Sequence, residues 1–496
     1  MNEQQQVVNP KHFLSRTTYR TYNDRASVFM AKPQIIWFRQ DLRLADQAAV
    51  LMAAKAGPVI PVYIRDTKAP GKWAHTGAAL WWLHHSLLRL DEELRRLGSR
   101  LVLLTGDAVT VLAELVRSSG ADAVHALTHY EPWARRQQAA LAQKTNLKLY
   151  DGMALAPPDS IRNQSGAPFK VFTPFWRTLQ KQMPPPDPAP APRKLSMAEG
   201  APAGEKLDSW KLLPTRPDWA KNFSGYWSPG EAGARARLTD FAPRARAYDA
   251  GRNFCAQDHT SRLSPHLHFG EISAAQVWHG ITAKTRTGAE PYLRQLGWRD
   301  FSFNLILTAP DFADVNWRRD FDAFPWQPDD KALRAWQKGQ TGYPIVDAGM
   351  RQLWATGWMH NRVRMITASF LIKHLMQDWR RGEEWFWDTL VDADLANNAA
   401  GWQWTAGSGA DASPYYRIFA PVTQGEKFDA DGSYVRRWVP ELAKLPAKFI
   451  HKPWEAPPLL LAEAGVTLGK TYPRPMVDHA EARARALAAF KTLSAI

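Results

Sequence analysis

The feature that most narrows the fold is an alternation. From Gln34 the chain sets short apolar runs between stretches of helical periodicity: QIIWFR, a helix around Asp46 to Ala56, VIPVYIR, Leu80 to Leu97, RLVLLTG, Val109 to Ser118, then AVHALTHY. Strands separated by helices cannot pair as hairpins, because each helix carries the chain back to the edge where the previous strand began. The pattern therefore predicts βαβ units and a doubly wound, Rossmann-like parallel sheet. Such a sheet invites a nucleotide at its strand ends. No GxGxxG or GxxxxGK[ST] follows any of these strands, which argues against a standard dinucleotide or P-loop site.

After Trp176 the pattern breaks at MPPPDPAPAPRK and stays polar and Pro/Gly-punctuated to about Ser228. Proline at this density neither pairs in a sheet nor continues a helix, so the stretch reads as an extended connector. Helical periodicity dominates from Glu231 to about Ser433, and EARARALAAFKTL near the C-terminus reads as a closing amphipathic helix. The expected organisation is a flexible extension over residues 1–31, an α/β domain over 32–160, a linker over 161–230 and an all-helical domain over 231–496.

Lys and Arg number 63 against 48 Asp and Glu, a formal charge of +15. That balance suits a polyanionic partner, although charge alone serves a generic basic enzyme equally well. The one cysteine, Cys255, excludes an intramolecular disulfide and any multi-thiolate metal site and fits a reducing, cytoplasmic compartment. No apolar run reaches the ~18 residues of a membrane span. The 23 tryptophans exceed ordinary usage, and many cluster between residues 278 and 438, where they can pack, stack on flat ligands or pass electrons.

Three stretches carry polar chemistry at helical spacing. In WMHNRVRMITASFLIKHLMQDW, read as one helix from Trp358 to Trp379, Trp358, Asn361, Arg362 and Met365 share a face at i, i+3, i+4 and i+7. In LVDADLANNAAGWQW, Asp394, Asn398 and Trp402 recur at i, i+4 and i+8; buried polar groups of this kind need a polar ligand. In HTSRLSPHLHFGEIS, Thr260, Ser261 and Ser264 surround Arg262 just before a helix. That chemistry suits phosphate, and it suits helix capping equally well.

These segments, with IIWFRQDLRLADQAA near the N-terminus, resemble the four ordered motifs of the photolyase/cryptochrome family, most like its cyclobutane-dimer members. The resemblance spans about Gln34 to about Trp454 and implies an antenna-binding α/β domain followed by a helical domain holding FAD in a U-shape. By motif match, Tyr248, Thr260, Ser261, Arg262, Leu263 and Ser264 would hold the diphosphate and ribityl parts. Arg299, Trp358, Asn361, Arg364, Asp392, Asp394 and Asn398 would line the flavin, with Asn398 beside N5. A neutral amide there permits the fully reduced flavin that repair requires. Trp402, Trp379 and Trp326 match the electron-hopping tryptophans.

The implied activity is light-driven repair of UV-damaged DNA, with no metal and no protein partner required: reduced FAD passes an electron to a flipped-out cyclobutane pyrimidine dimer, and the ring splits. Trp298 and Trp404 match the lesion-pocket tryptophans, and Arg362 and Arg417 flank the pocket as phosphate contacts. Asn361 and Met365 match the cyclobutane-dimer pattern, Met365 standing where (6-4) enzymes place a histidine. Gln295 departs from it, because dimer enzymes carry glutamate and (6-4) enzymes more typically glutamine. An amide donates a hydrogen bond without first acquiring a proton, so Gln295 can still hold a lesion carbonyl. A blue-light receptor is the other alternative; it commonly carries a long C-terminal extension, whereas about 40 residues follow Lys452. HYEPWARR places Ala134 where folate-binding members have glutamate, which leaves the antenna open between folate, a deazaflavin and none.

Overall fold

The structure, a computed structural model, describes residues 31–285, 287–412 and 416–493; the extension expected over residues 1–31 lies outside these except for Ala31. Strands β1 (Gln34–Phe38), β2 (Val59–Arg65), β3 (Val102–Thr105), β4 (Ala123–Leu127) and β5 (Leu147–Tyr150) form one sheet in the order β3-β2-β1-β4-β5. Every pairing is parallel. Helices α1 (Ala48–Ala56), α2 (Gly77–Arg96), α3 (Ala108–Ser119) and α4 (Pro132–Ala142) are the crossovers.

Strand periodicity explains why both faces are covered. Ile36 and Phe38 of β1 point into a cluster with Val50, Ala53 and the α2 leucines, while Ile35 and Trp37 point into another with Leu112, Leu115 and Leu141. A sheet buried on both sides needs continuous apolar strands, and QIIWF and AVHAL are buried throughout. Pro61 sits in β2 opposite Ile36, one residue before pairing to β3 begins at Val62, so its missing N–H costs no ladder bond.

The connector is more ordered than its proline content suggests. It begins with α5 (Phe172–Gln180), whose Phe172, Phe175, Trp176 and Leu179 are buried in the helical core. Beyond the prolines it runs along the sheet: Val59 N–H donates to Ser196, Ala198 N–H to Val59 and Glu205 N–H to Leu103.

Seven further helices position the site: α6 (Ser264–His268), α7 (Glu290–Thr308), α8 (Pro344–Thr356), α9 (Asn361–Ser369), α10 (Trp379–Thr389), α11 (Leu395–Ala406) and the closing α12 (His479–Leu493). The expected single helix from Trp358 to Trp379 is not formed. His360 caps α9, its Nδ1 accepting from Arg362 N–H at 3.2 Å, so Trp358 lies before the helix. Phe370–His374 widens into a π-helix, Met376 takes a left-handed backbone (φ 52°), and Asp378 caps α10 afresh. Asp394 likewise caps α11, accepting from Asn397 N–H at 2.9 Å, so the line expected through Asp394, Asn398 and Trp402 begins at a cap.

The sheet and the helices meet through polar contacts. Leu42 N–H donates to Phe269 O at 3.0 Å, Arg43 Nη1 to Gly270 O at 3.0 Å, and Trp82 Nε1 to Glu271 Oε1 at 3.0 Å. Gly270 is required here: its φ is +64°, and a Cβ would stand 2.2 Å from the Gln40 carbonyl oxygen. No helix among the described residues is long and apolar enough to cross a membrane.

Candidate active site

Two cavities of about 320 and 250 Å³ open side by side among the helices and share Asn361, Arg364, Asp392 and Asn397 as wall. Tyr248, Thr260, Ser261, Arg262, Leu263, Ser264, Gln295, Trp298, Arg299, Trp358 and Asp394 line the larger. Met365, Asn398 and Trp402 line the smaller. Residues scattered over more than a hundred positions are thus brought to one continuous space.

The larger cavity is built on a tight loop. Arg262 adopts a left-handed backbone (φ 51°), and Ser261 Oγ accepts from Leu263 N–H at 3.2 Å, which turns the chain into α6 at Ser264. The Arg262 guanidinium sits 5.5 Å above the Trp358 ring and 3.2 Å from Asp258. On α7, Arg299 is held by Met153 O at 2.5 Å and Leu267 O at 3.3 Å. Its neighbour Asp300 accepts from Leu155 N–H at 2.8 Å; burial pushes its carboxyl up to about 7, against the pull of the Arg299 charge.

Between the cavities, Arg364 donates to Met359 O and to Asp392 Oδ2, both at 2.8 Å. Asn361 Nδ2 lies 3.9 Å from Met365 Sδ. On α11, Asn398 Nδ2 donates to the Glu383 backbone carbonyl at 3.1 Å. A carbonyl accepts only, so this contact assigns Nδ2 to Glu383 and leaves Oδ1, on a side chain that lines the smaller cavity, as an acceptor. The Glu383 side chain is fully buried with neither oxygen hydrogen-bonded among the described residues, and burial pushes its carboxyl well above the usual range.

Of the three tryptophans matched to electron hopping, two are buried and one is half-buried. Trp402 is 2% exposed, packed edge-on to Phe386 at 4.9 Å and lying against Gly382 of α10. Trp379 opens that helix, 0% exposed, its Nε1 donating to Asn316 Oδ1 at 2.9 Å. Trp326 is half-buried against Phe324 at 4.4 Å. Its loop is tied to the segment before Trp379 by Gln327 N–H to Met376 O at 2.8 Å and Gln377 Nε2 to Gln327 O at 2.7 Å.

Arg362, Arg417 and Trp404 line neither cavity. Arg362 donates to Asn253 Oδ1 at 2.7 and 3.2 Å. Burial lowers its pKa first, and the charges of Arg252 and Arg417 lower it further, which marks a cluster of like charge. Trp298 has one face covered by Phe172, stacked at 3.6 Å and 7°. Trp404 is half-buried on α11.

Residues 34–193 match the family model described as DNA photolyase, and residues 292–492 the one described as FAD binding domain of DNA photolyase. The deoxyribodipyrimidine photo-lyase of Agrobacterium fabrum is 54% identical over 92% of this chain and 97% of its own length. The chain belongs to the DNA photolyase family. A bacterial class III photolyase from Agrobacterium tumefaciens superposes with a TM-score of 0.92 at 51% identity, covering 96% of this chain and all of the other (100%). Cryptochrome-1 of Arabidopsis thaliana is 37% identical over 91% of this chain and 69% of its own length.

The cavity walls fit the FAD of this family. Arg262 Nε, Trp358 Nε1, Asp392 Oδ1 and both ring nitrogens of His268 are buried without a hydrogen-bond partner among the described residues. Each such orphan costs about 1–3 kcal/mol until a polar ligand satisfies it. Motif reading did not assign Tyr292, Asn397 or His268, which also stand on the wall. His268 lies inside the quoted TSRLSPHLHFGEIS segment, one helical turn past Ser264, and that spacing was the available signal.

Proposed function

We propose that this chain is a deoxyribodipyrimidine photo-lyase acting on UV-damaged DNA in the cytoplasm, with residues 32–160 as the antenna-binding unit, 161–230 as connector and 231–496 as the catalytic unit. Reduced FAD, when bound and excited by blue or near-UV light, supplies the electron that opens a cyclobutane pyrimidine dimer and takes it back afterwards. The observation that carries this reading is the fixed amide of Asn398, whose Oδ1 offers an acceptor to an N–H of the bound group, as reduced flavin presents.

The side chains divide the remaining work. The Thr260–Ser264 turn and Arg262 take the diphosphate through hydroxyls, N–H groups and charge. Arg364 holds Asp392, and Arg299 is braced on two carbonyls, so that wall is rigid before any ligand arrives. Gln295 and Trp298 stand on the same wall as Asn361, with Met365 in the adjoining cavity, which makes this face the place for the flipped-out lesion. Trp298, backed by Phe172, offers one stiff ring face to a base, and base–aromatic stacking is worth about 1–3 kcal/mol. Arg362 and Arg417 take phosphates of the lesion strand. Trp402, Trp379 and Trp326 carry reducing equivalents inward from the surface.

An antenna pigment, a folate or a deazaflavin, would lie where residues 32–160, through Gly77 and Leu80 of α2, share a cavity of about 340 Å³ with the connector and with α8, whose Trp354 is 50% exposed beside Trp219. The crevice at the β1 and β2 ends, lined by Trp37, Arg39 and Ala134, holds only about 90 Å³. Trp354→Ala should remove any absorption band beyond that of FAD from the purified protein.

Lesion choice is tested with oligonucleotides carrying one defined lesion under blue light. Splitting of the cyclobutane dimer and not of the (6-4) photoproduct is expected. The reverse preference would give Gln295 the deciding role, and binding without splitting of either lesion would favour a receptor.

A further inference from the structure

The flavin cavity contains a histidine that the account above does not use. His268 is 5% exposed, it forms part of the larger cavity's wall, and neither ring nitrogen has a hydrogen-bond partner among the described residues. Its Nδ1 stands 3.7 Å from Asp394 Oδ2. Asp394 spends its other oxygen on Asn397, accepting from the backbone N–H at 2.9 Å and from Nδ2 at 2.6 Å, so Oδ2 is left toward the imidazole. Burial pushes the Asp394 carboxyl up, but His268, the Arg299 charge and Asn397 outweigh it and hold the group down to about 2. The carboxylate is therefore ionised and faces Nδ1 at 3.7 Å, an arrangement that favours the tautomer with its N–H on that nitrogen.

Two packed rings set the orientation. Phe269 lies edge-on at 4.6 Å and His75, from the loop before α2, edge-on at 5.6 Å. Burial, followed by the nearness of His268, lowers His75 to about 3, so it stays neutral and adds no competing charge. With Phe269 and His75 packed on the ring and Asp394 facing Nδ1, Nε2 is a buried polar atom with no hydrogen-bond partner among the described residues. His268 sits one helical turn beyond Ser264 of the phosphate turn, and it faces the residue that caps the helix carrying Asn398 four positions on. It thus lies between the diphosphate end and the ring end of the cavity.

We propose that His268 is a flavin-positioning residue whose unbonded Nε2 takes a hydroxyl of the ribityl chain, with Asp394 orienting the imidazole. This rests on the cavity being the FAD site. Asp394 acts at one remove, as carboxylates behind metal-ligating histidines do when they fix tautomer and ring plane.

The test is reconstitution of flavin-stripped protein with FAD and with an FAD analogue lacking ribityl hydroxyls, in wild type, His268→Gln and His268→Phe, following affinity, flavin midpoint potential and the fine structure of the visible band. Wild type should bind the analogue about tenfold more weakly than FAD, the loss of one well-placed hydrogen bond. His268→Phe should bind both alike, at the weaker value, with a shifted potential. His268→Gln, which keeps a polar group, should recover most of the difference. Equal binding of FAD and analogue by wild type would overturn the proposal without touching the flavin site, as would equal loss in both variants. Failure of wild type to take up FAD would instead overturn the site itself. Should His268→Phe not fold, the wild-type comparison still decides.

Discussion

At the scale of single residues, Gln295 and Asp300 are two side chains of α7 with separable consequences. Gln295 donates its Nε2–H to Pro291 O at 3.1 Å within its own helix and still lines the cavity, so it can turn to a lesion carbonyl at the cost of one half-exposed hydrogen bond. Gln295→Glu should preserve or raise the yield of dimer splitting per absorbed photon; a clear loss would contradict the role given to this amide. Asp300 makes a second prediction, on stability. Its folded pKa, about 7, lies above the ordinary 3.8, so its contribution is fully present below about pH 4 and is lost as pH rises through 7. The loss amounts to a few kcal/mol at most, on the order of 1.4 kcal/mol per unit. Asp300→Asn keeps an acceptor for Leu155 N–H without the charge, so its melting temperature should be higher than wild type at pH 8 and flatter between pH 5 and 8. An unchanged pH profile would remove Asp300 from the account.

At the scale of elements, the contacts that assemble the site are helix ends and helix approaches. Gly382 lets α10 lie on α11: a Cβ there would stand 2.1 Å from Trp402 Cη2 and 2.7 Å from Leu371 Cδ2. Gly382→Ala should destabilise the fold by about 1–3 kcal/mol through overpacking, read from urea unfolding, and should weaken flavin retention. Wild-type stability in this variant would mean that the two helices are not in close register. The elements also mark where sequence was readable. β1 to β4 were legible as apolar runs because both faces of the sheet are buried, whereas β5, LKLY, is a half-exposed edge strand without such a run. The helix read from Trp358 to Trp379 failed because periodicity does not sense caps: His360 and Asp378 look like ordinary polar members of the stripe. Most residues that line the two cavities were legible through the family motifs, and periodicity alone gave only polar lines. His268 went unassigned because a buried histidine in a helix reads as core until its ring nitrogens are found unbonded.

At the scale of the whole molecule, the charge of +15 becomes specific once the arginines are placed. The charges of Arg252 and Arg417 act on Arg362, which follows Asn361 of the cavity wall, where the proposed function puts the lesion. If three phosphates are neutralised there, log Kobs for damaged duplex should fall with log salt at a slope of about −3, and Arg362→Ala or Arg417→Ala should each reduce it by about one. A slope unaffected by both would move the DNA path elsewhere. The division of labour between a nucleotide-type sheet and a helical body also explains the polar contacts between them: Trp82, Arg43 and Trp387 each reach across to a partner in the other part. The central claim, that light absorbed by flavin in this cavity splits a pyrimidine dimer, is tested most directly by an action spectrum. Purified protein with reduced flavin is irradiated with an oligonucleotide carrying one cyclobutane dimer. Splitting should be absent in the dark and should follow the absorption of the bound chromophores with wavelength; splitting in the dark, or none at any wavelength with flavin bound and reduced, would contradict it.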